Sequence, residues 1–460
     1  MFFGSMEFLF YFLPVFFLFY GLTPKEYKNL TLLSGSLVLY SQGKPAYLFV
    51  IIAMACLNFR IGLKLQTTEK RRSTKDREKA GNSRSKSKKN KYLFFFSVAG
   101  NAAVLCAFKL KGGDMPLGFS FYTFQTISYL VDVYRGEVPG ERSLVRFLVY
   151  LLMFPKAGSG PITAYGDLRR ELVSRRVTAD GFQTGLKILT IGLAMKVLLA
   201  DRLGFLWNDL RVTGYESISL KLAWIGAVTF SLKLYFDFYG YSLMAVGLGR
   251  MVGFHLPENF QTPYLSGSVR EFYRRWHITL GKWFSKYVYI PLGGNRRGEI
   301  RTVINLLAVW LLTGFWHGTG ANYLIWGMFL GACIVAERGL AKLFPTWKPR
   351  VLSHLYLWIV IPVSWVCFAI PDLSQLQIYL SRMFGIGEAV NVNPQDWYLA
   401  LQKYGVYLAA GLFCSLGVIE LAFRKWKNKL WMNLVLAAVF WYCAWRVLTE
   451  GNNPFMYLDF

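Results

Sequence analysis

The apolar residues of this chain fall into long runs separated by short polar segments. A hydrocarbon core about 30 Å thick requires roughly 20 apolar residues of helix to cross it, and most runs are of this length. The pattern therefore predicts an all-α polytopic membrane protein with about 11–13 transmembrane or re-entrant helices. A shorter run at 144–154 is predicted to be re-entrant. The expected spans are 6–22, 29–41, 45–63, 92–110, 116–134, 182–200, 218–241, 301–316, 322–341, 354–371, 401–423 and 430–449.

The charged residues between the runs predict the orientation of these spans. The segment 64–91 contains twelve Lys and Arg against three acidic residues, which is typical of a solvated, disordered cytoplasmic loop. If the chain crosses the membrane at each predicted span after this loop, the segment 270–301, with eight Lys and Arg, lies on the same side as the loop. The acidic segment 372–400, with an amphipathic piece at 373–384, falls outside. Both termini are then expected to be extracytoplasmic.

We expect one transmembrane domain over 1–460 and no second, soluble domain. Within it, 64–91 is the basic cytoplasmic loop, and 255–301 is a cytoplasmic re-entrant or amphipathic segment. The segment 430–460 combines the last span with an external aromatic tail.

The composition of the chain agrees with this prediction and adds little to it. A formal net charge of +26 would suggest a nucleic-acid partner in a soluble protein, but the positive-inside rule explains it in a chain that is 54% hydrophobic. We therefore expect contacts with membrane lipids and none with nucleic acid. Six cysteines lie scattered in apolar segments without a CxxC pair, so neither a disulfide framework nor a metal site is expected.

One histidine lies within an apolar, aromatic stretch at 311–318. An ionisable side chain at membrane depth is costly, and it tends to line a cavity, pair with a partner or carry chemistry. His317 can be a hydrogen-bonded structural residue packed between helices. Alternatively, its imidazole can take a proton from a hydroxyl group and return one to a leaving group.

A second histidine, His277, lies in the basic segment 269–284. Its apolar and aromatic residues recur at helical spacing and predict an amphipathic helix at the cytoplasmic interface. A glycine turn with two arginines follows at 290–298, a combination that can hold phosphate. The cations of this region can instead contact anionic lipid headgroups.

Four sequence strings carry a resemblance to a known family. They are SVREFYRRWHITLGKWFSKYVYIPLGG at 268–294, WLLTGFWHGTGANYLIWG at 310–327, MPLGFSFYTFQTISYLVDVYRGE at 115–137 and FPKAGSGPITAYGDL at 154–168. Together they resemble the membrane-bound O-acyltransferase (MBOAT) family, and the bacterial alginate O-acetyltransferase branch in particular. The similarity runs along the whole chain in the same order.

The resemblance implies a ring of tilted helices around a central funnel. Acetyl-CoA would enter from the cytosol as the donor substrate, and the acceptor would approach from outside. His317 matches the catalytic histidine of the family, and His277 matches a second active-site position nearer the donor. Nearby cations are candidates for contacts with the coenzyme, namely Arg274, Arg275, Lys282, Arg296 and Arg297.

The end of the chain, 453–460, resembles an aromatic tail found in cell-envelope acylation systems. There a tyrosine is thought to relay the acyl group, a role that would fall to Tyr457 here. Leu458 replaces an aromatic residue of that pattern and Asp459 a neutral polar one. The alternative is an aromatic anchor at the membrane interface.

These features predict an enzyme of the bacterial plasma membrane. It would move an acetyl group outward from acetyl-CoA for O-acetylation of an extracellular or cell-wall polysaccharide, with His317 as the general base. The resemblance implies an exported SGNH-type acetyltransferase, or another extracytoplasmic acceptor protein, as the partner. Alternative acceptors are teichoic acid, peptidoglycan or a lipid. A lipid or polysaccharide transporter is the alternative outside enzymes.

Overall fold

A computed structural model of the chain describes residues 3–42, 44–69, 80–112, 115–346, 350–386 and 390–451. Within these ranges the regular structure is helical and contains no β-strand, which confirms the predicted all-α class. The α-helices are α1 Leu13–Leu22, α2 Lys28–Tyr40, α3 Pro45–Glu69, α4 Ala80–Lys111, α5 Phe119–Arg135, α6 Leu144–Leu152, α7 Tyr165–Val173, α8 Ala179–Ala194, α9 Asp201–Thr213, α10 Leu220–Met251, α11 Val269–Arg275, α12 Ile278–Phe284, α13 Glu299–His317, α14 Ala321–Leu343, α15 Arg350–Ala369, α16 Leu373–Phe384, α17 Asp396–Ser415, α18 Val418–Trp426 and α19 Leu430–Glu450.

Each of the twelve predicted spans coincides with helical structure. In the described part of the chain, six helices are long and apolar enough to cross a membrane, and they contain Ala46–Gln66, Asn90–Lys111, Glu299–His317, Ala321–Leu343, Val351–Ala369 and Leu430–Glu450. The pair α17–α18 would be a seventh span. The remaining predicted spans lie on helices that are shorter, less apolar or more charged. The protein is a multi-pass membrane protein, and the higher number of spans stays a prediction.

Two predicted segments differ from the structure. The span 401–423 is not one straight helix, because α17 and α18 are bent by 61° at Leu416–Gly417, where Gly417 adopts a φ of +82°. The disordered loop predicted at 64–91 is wrong at its two ends, which extend α3 and α4. Residues 70–79 of that loop lie outside the described residues.

The segment 269–284 is also not one amphipathic helix. It forms two short helices, α11 and α12, which are interrupted at Trp276–His277. Four of its five aromatic residues are buried inside the protein, and Phe272 and Trp276 are only 0% and 3% exposed. The helical spacing was read correctly, but the apolar side packs against other helices of the protein.

The described residues form two compact units. The first contains α1–α7, the start of α8 and the end of α10. Its helices α3, α4 and α5 pack on one another, and α6, only nine residues long, lies against α2. Two asparagines join α3 and α4 by reciprocal amide hydrogen bonds of 2.9 and 3.1 Å between Asn58 and Asn101. Such bonds hold helices together in lipid.

The second unit contains α9, α11–α19, the second half of α8 and most of α10. Its centre is the antiparallel hairpin of α13 and α14, on which α15 and α11 pack. The core between these helices is aromatic. Trp326, for example, lies with its ring centroid 5.8 Å from Trp365 and 5.3 Å from Phe368.

Glycines bring the backbones of α13 and α14 into direct contact. A Cβ atom added to Gly327 would lie 2.5 Å from the carbonyl oxygen of Trp310 and 3.4 Å from the Cα of Gly314. A Cβ added to Gly314 would lie 2.5 Å from the carbonyl oxygen of Tyr323. Small residues at a crossing allow this close approach, which increases the van der Waals contact that joins helices in membranes.

Two glycine substitutions on α14 test this crossing. Gly327→Ala should destabilise the protein by about 1–3 kcal/mol, because the new methyl group meets rigid backbone. Gly339→Ala is the matched control, since no atom lies within 4 Å of its added Cβ, and it should leave the stability unchanged or slightly raised. Thermal unfolding in detergent measures both. Equal midpoints for the two variants would contradict the close crossing.

Candidate active site

The end of the α13–α14 hairpin positions His317. It is the last residue of α13, and the amide N–H of Gly318 ends the helix by donating to the carbonyl oxygen of Gly314. The Asn322 side chain fixes the turn by donating a 3.0 Å hydrogen bond to the carbonyl oxygen of Phe368 on α15. The glycine at 318 is required, because an added Cβ would lie 2.3 Å from the ring of Tyr323.

Aromatic rings surround the His317 imidazole. Its centroid lies 5.0 Å from Trp326 and 5.2 Å from Phe368, both in edge-to-face geometry, and 4.6 Å from Trp316. The residue is only 4% exposed. The rings fix the direction of the imidazole and exclude water from most of its surface.

A break between α11 and α12 positions His277. The residue adopts a left-handed conformation with φ 44° and ψ 53°, which is uncommon for a residue other than glycine. Such conformations cost about 1–3 kcal/mol and persist where the surrounding structure imposes them. Here they turn the chain so that the His277 side chain enters the core, where it is 3% exposed.

The segment 259–261 holds this break from outside the helices. The amide of Ile278 donates to the carbonyl oxygen of Asn259 at 3.0 Å, and the amide of Gln261 donates to the carbonyl oxygen of Arg275 at 3.0 Å. The Asn259 side chain also accepts a 2.7 Å hydrogen bond from the Thr279 hydroxyl group. These bonds lie on both sides of His277 and fix its backbone.

The two histidines lie near each other in the same unit. The His277 ring is 6.3 Å from Trp316, whose own ring is next to His317, and it is 4.7 Å from Phe238 on α10. His277 lies outside the candidate membrane spans. Burial lowers the pKa of His277 to about 3, because the charged form would lose its hydration, so the imidazole is neutral at pH 7.

Both histidines line one elongated cavity of about 470 Å³. Its wall on α14 runs from Trp326 to Ala341, a length of about 20 Å at the rise of an α-helix. One part of the cavity is therefore next to the histidines, and the other is at the opposite end of the hairpin. Between them the wall is mainly apolar and aromatic, formed by Leu280, Phe284, Leu306, Val309, Trp310 and Ile334.

Charged residues line the cavity at the end away from His317. They are Arg270, Glu337 and Arg338. The Glu337 carboxylate accepts hydrogen bonds from the amides of Val269 and Arg270, which ties the start of α11 to α14. The Arg338 guanidinium donates two hydrogen bonds, of 3.0 and 3.1 Å, to the carboxylate of Glu299 at the start of α13.

The five cations predicted from the sequence to contact the coenzyme are outside the cavity lining. Arg274, Lys282, Arg296 and Arg297 are exposed, and Arg275 pairs with Glu271 at 2.6 Å. In the glycine turn near Arg296 and Arg297, backbone amides are hydrogen-bonded within the turn itself. Those of Gly293, Gly294 and Arg296 donate to carbonyl oxygens within the turn.

Two cations that line the cavity, Arg270 and Arg338, were not predicted from the sequence. Arg270 lies within the basic segment 269–284, but the helical spacing does not distinguish it from the neighbouring arginines. Arg338 lies near the end of the span 322–341, and its position beside a basic segment that is predicted to be cytoplasmic was the only available signal. The predicted relay residue Tyr457 lies outside the described residues. In the described part of the chain, no group of three or more His, Cys, Asp or Glu side chains could hold a metal ion.

Comparison with known proteins identifies the family. The model of the membrane-bound O-acyltransferase (MBOAT) family matches residues 137–374, just over half of the chain, and this region contains both histidines and all the residues that line the cavity. The chain belongs to the MBOAT family. It is therefore an acyltransferase and not the lipid or polysaccharide transporter that was the alternative.

Several relatives are similar over most of their length. The "Probable alginate O-acetylase AlgI" of Pseudomonas fluorescens is 35% identical over 395 residues, which cover 84% of this chain and 76% of that protein. The "Peptidoglycan O-acetyltransferase" of Helicobacter pylori is 32% identical, covering 84% and 80%. The "Teichoic acid D-alanyltransferase" of Bacillus subtilis is 28% identical, covering 55% and 67%. The predicted similarity to the alginate branch of the MBOAT family is confirmed.

The support of the His277 backbone can be tested at Asn259. Asn259→Ala removes the buried oxygen that accepts hydrogen bonds from the amide and the hydroxyl group of Thr279, so we expect a loss of about 1–3 kcal/mol in stability. Asn393→Ala is the matched control. Its side chain also accepts a backbone N–H but in an exposed turn, and the loss should be within about 0.5 kcal/mol. Thermal unfolding distinguishes the two, and a larger effect at Asn393 would contradict the account.

Proposed function

We propose that this MBOAT protein transfers an acetyl group from cytosolic acetyl-CoA to a polysaccharide on the outer side of the bacterial plasma membrane. The observation that carries the proposal is the elongated cavity. It has two buried histidines near one end and two arginines at the other. This arrangement suits a donor with an anionic nucleotide and a long, thin pantetheine arm that ends in the reactive thioester.

The reaction itself requires alignment and one proton transfer. The acceptor hydroxyl group attacks the thioester carbonyl, a C–O bond forms and the C–S bond breaks. His317 takes the hydroxyl proton and delivers it to the departing thiolate, so the imidazole returns to its starting state. Aromatic walls around His317 limit the access of water, which would otherwise hydrolyse the thioester.

His277 acts on the donor side of the same cavity. A neutral imidazole carries one N–H, which can donate a hydrogen bond to the thioester carbonyl oxygen as negative charge develops there. The low pKa of His277 keeps it in this neutral form across the physiological range. The fixed backbone at His277 places the imidazole before substrate arrives, which reduces the cost of alignment.

The charged end of the cavity would bind the nucleotide part of the donor. Arg270 and Arg338 replace the five cations suggested by the sequence, because these two line the cavity. Guanidinium groups bind phosphate with charge-assisted and often bidentate hydrogen bonds. The positive-inside rule supports a cytoplasmic location for this end, since it adjoins the basic segment 270–301.

The acceptor is proposed from the relatives. Proteins named for alginate, peptidoglycan and teichoic acid are all similar to this chain, and the greatest coverage belongs to the two O-acetyl-transferring groups. An acetylated polysaccharide of the cell surface or cell wall therefore fits best. Transfer to the sugar would involve an exported SGNH-type acetyltransferase, and the relay role of Tyr457 stays a prediction.

Substitution of His317 tests the proposed base. His317→Ala should retain folding but reduce acetyl transfer by roughly 10²–10⁴-fold, because a positioned proton-transfer group is lost. His255→Ala is the control. That histidine is 70% exposed, pairs with Glu171 and is not part of the cavity. Radiolabelled acetyl transfer in membrane vesicles, at equal expression, measures both. Near-normal transfer by His317→Ala would rule out its role as base.

Two pairs of arginine substitutions locate the donor. Arg270→Ala and Arg338→Ala should each raise the KM for acetyl-CoA about 10-fold or more, since a hydrogen bond to a charged group contributes roughly 1.5–3 kcal/mol. Arg296→Ala and Arg297→Ala, which change exposed cations outside the cavity, are the matched controls. A larger effect from this second pair would place the nucleotide at the glycine turn instead.

A further inference from the structure

A cluster of ionisable side chains lies outside the cavity and has no part in the chemistry proposed above. The Lys196 ammonium group is 2.8 Å from the Asp201 carboxylate and 2.7 Å from that of Asp237 on α10. The side chains of Lys196 and Asp237 are only 5% and 1% exposed. Lys233, one turn before Asp237, adds a second cation to the same group. Buried charges of this kind are expensive, and in membrane helices they often serve function.

The cluster lies beside a close helix crossing. Added Cβ atoms on Gly192 and Gly240 would lie 2.5 and 2.6 Å from the carbonyl oxygen of the opposite glycine, so α8 and α10 touch backbone to backbone. One turn further along, the helix that began as α8 widens into a π-helical turn, Met195–Ala200, which contains Lys196. Such turns are rare and are frequent at functional sites.

The same stretch of α10 contacts His277. Phe238 follows Asp237 directly, and its ring lies 4.7 Å from the imidazole in edge-to-face geometry. Tyr235 lies 6.0 Å from Trp276, the residue before His277. Because successive residues of an α-helix project about 100° apart, Asp237 and Phe238 face two neighbouring directions. A rotation of α10 that moved Phe238 would also separate the buried charges.

We propose that the Lys196–Asp237 ion pair is a positioning device for His277 that acts through Phe238. Both residues are positioning residues, because neither lines the cavity that receives the substrate. The pair fixes the rotation of α10, and α10 then presents Phe238 as a rigid wall against the imidazole. The proposal rests on the proposed function of His277, but the position of the imidazole can be measured without acetyl transfer.

The alternative is that the cluster only stabilises the fold. The second unit also contains an ion pair that can serve as a control for this alternative. It lies between Arg202 and Glu450 and joins α9 to α19. The Arg202 side chain is 7% exposed, nearly as buried as Lys196. The Glu450 side chain is 38% exposed and also pairs with Arg446. A variant that removes this second pair therefore shows what the loss of a partly buried ion pair does when His277 is not involved.

The test compares three variants with the wild-type protein in membranes. Lys196→Met/Asp237→Asn removes the pair without changing the net charge, and it leaves Asp201 with Lys233. Phe238→Leu removes the proposed contact with His277 alone. Arg202→Gln/Glu450→Gln is the control. Each is measured for kcat, for the KM of acetyl-CoA, for thermal stability and for the rate at which diethyl pyrocarbonate modifies His277, quantified by peptide mass spectrometry.

For Lys196→Met/Asp237→Asn and Phe238→Leu we expect a similar result. The kcat should fall roughly 10–100-fold with little change in KM, as a displaced catalytic group predicts. The modification rate of His277 should change several-fold. The control should lower thermal stability while kcat and the modification rate stay at wild-type values.

Two outcomes would overturn the proposal. In the first, His277 is modified at the wild-type rate in Phe238→Leu, a result that can be obtained even if the charge variants do not accumulate. In the second, the control changes kcat and the modification rate as much as Lys196→Met/Asp237→Asn does. A failure of the proposed function gives a different result, because the wild-type protein would then transfer no acetyl group while the modification of His277 still depended on Phe238.

Discussion

The backbone contact between α13 and α14 is the constraint on which the candidate active site depends. Within lipid, the hydrophobic effect does not drive helices together, so their association depends on close packing and on hydrogen bonds. Gly314 and Gly327 permit that packing, and the hairpin they form ends at His317. The cavity follows the hairpin for most of its length. A wider crossing would displace His317 and alter the wall along which the donor is proposed to lie.

The second requirement is the local strain at His277. Left-handed backbone is unfavourable for histidine, and the bonds from Asn259 and Gln261 on either side offset that cost. The result is a second imidazole that enters the core from the other side of the cavity. Both histidines are thus fixed by the fold before any substrate binds. Preorganisation of this kind is an effective way for a protein to accelerate transfer from an already activated thioester.

Much of the fold and part of the candidate site could be predicted from the sequence. The rest of the site could not, for physical reasons. Apolar runs predicted the position of each described helix that is long and apolar enough to cross a membrane, since the length of a helix in lipid is set by the thickness of the bilayer. The proposed role of His317 followed from one ionisable group in an apolar run. The break at His277 was missed because the helical spacing continues through it, and the bonds that impose it come from a segment eighteen residues away. Arg270 and Arg338 were missed because only the packing of α11 against α14 decides which cations face the cavity.

The central claim is that the acyl donor lies along the α13–α14 hairpin with its reactive end between the two histidines. The most direct test is an electron cryo-microscopy structure of the protein with a non-hydrolysable thioether analogue of acetyl-CoA. The account predicts density for the acetyl group between His277 and His317, and for the phosphates beside Arg270 and Arg338. Density for the nucleotide at Arg296 and Arg297, with the cavity beside the histidines empty, would contradict it.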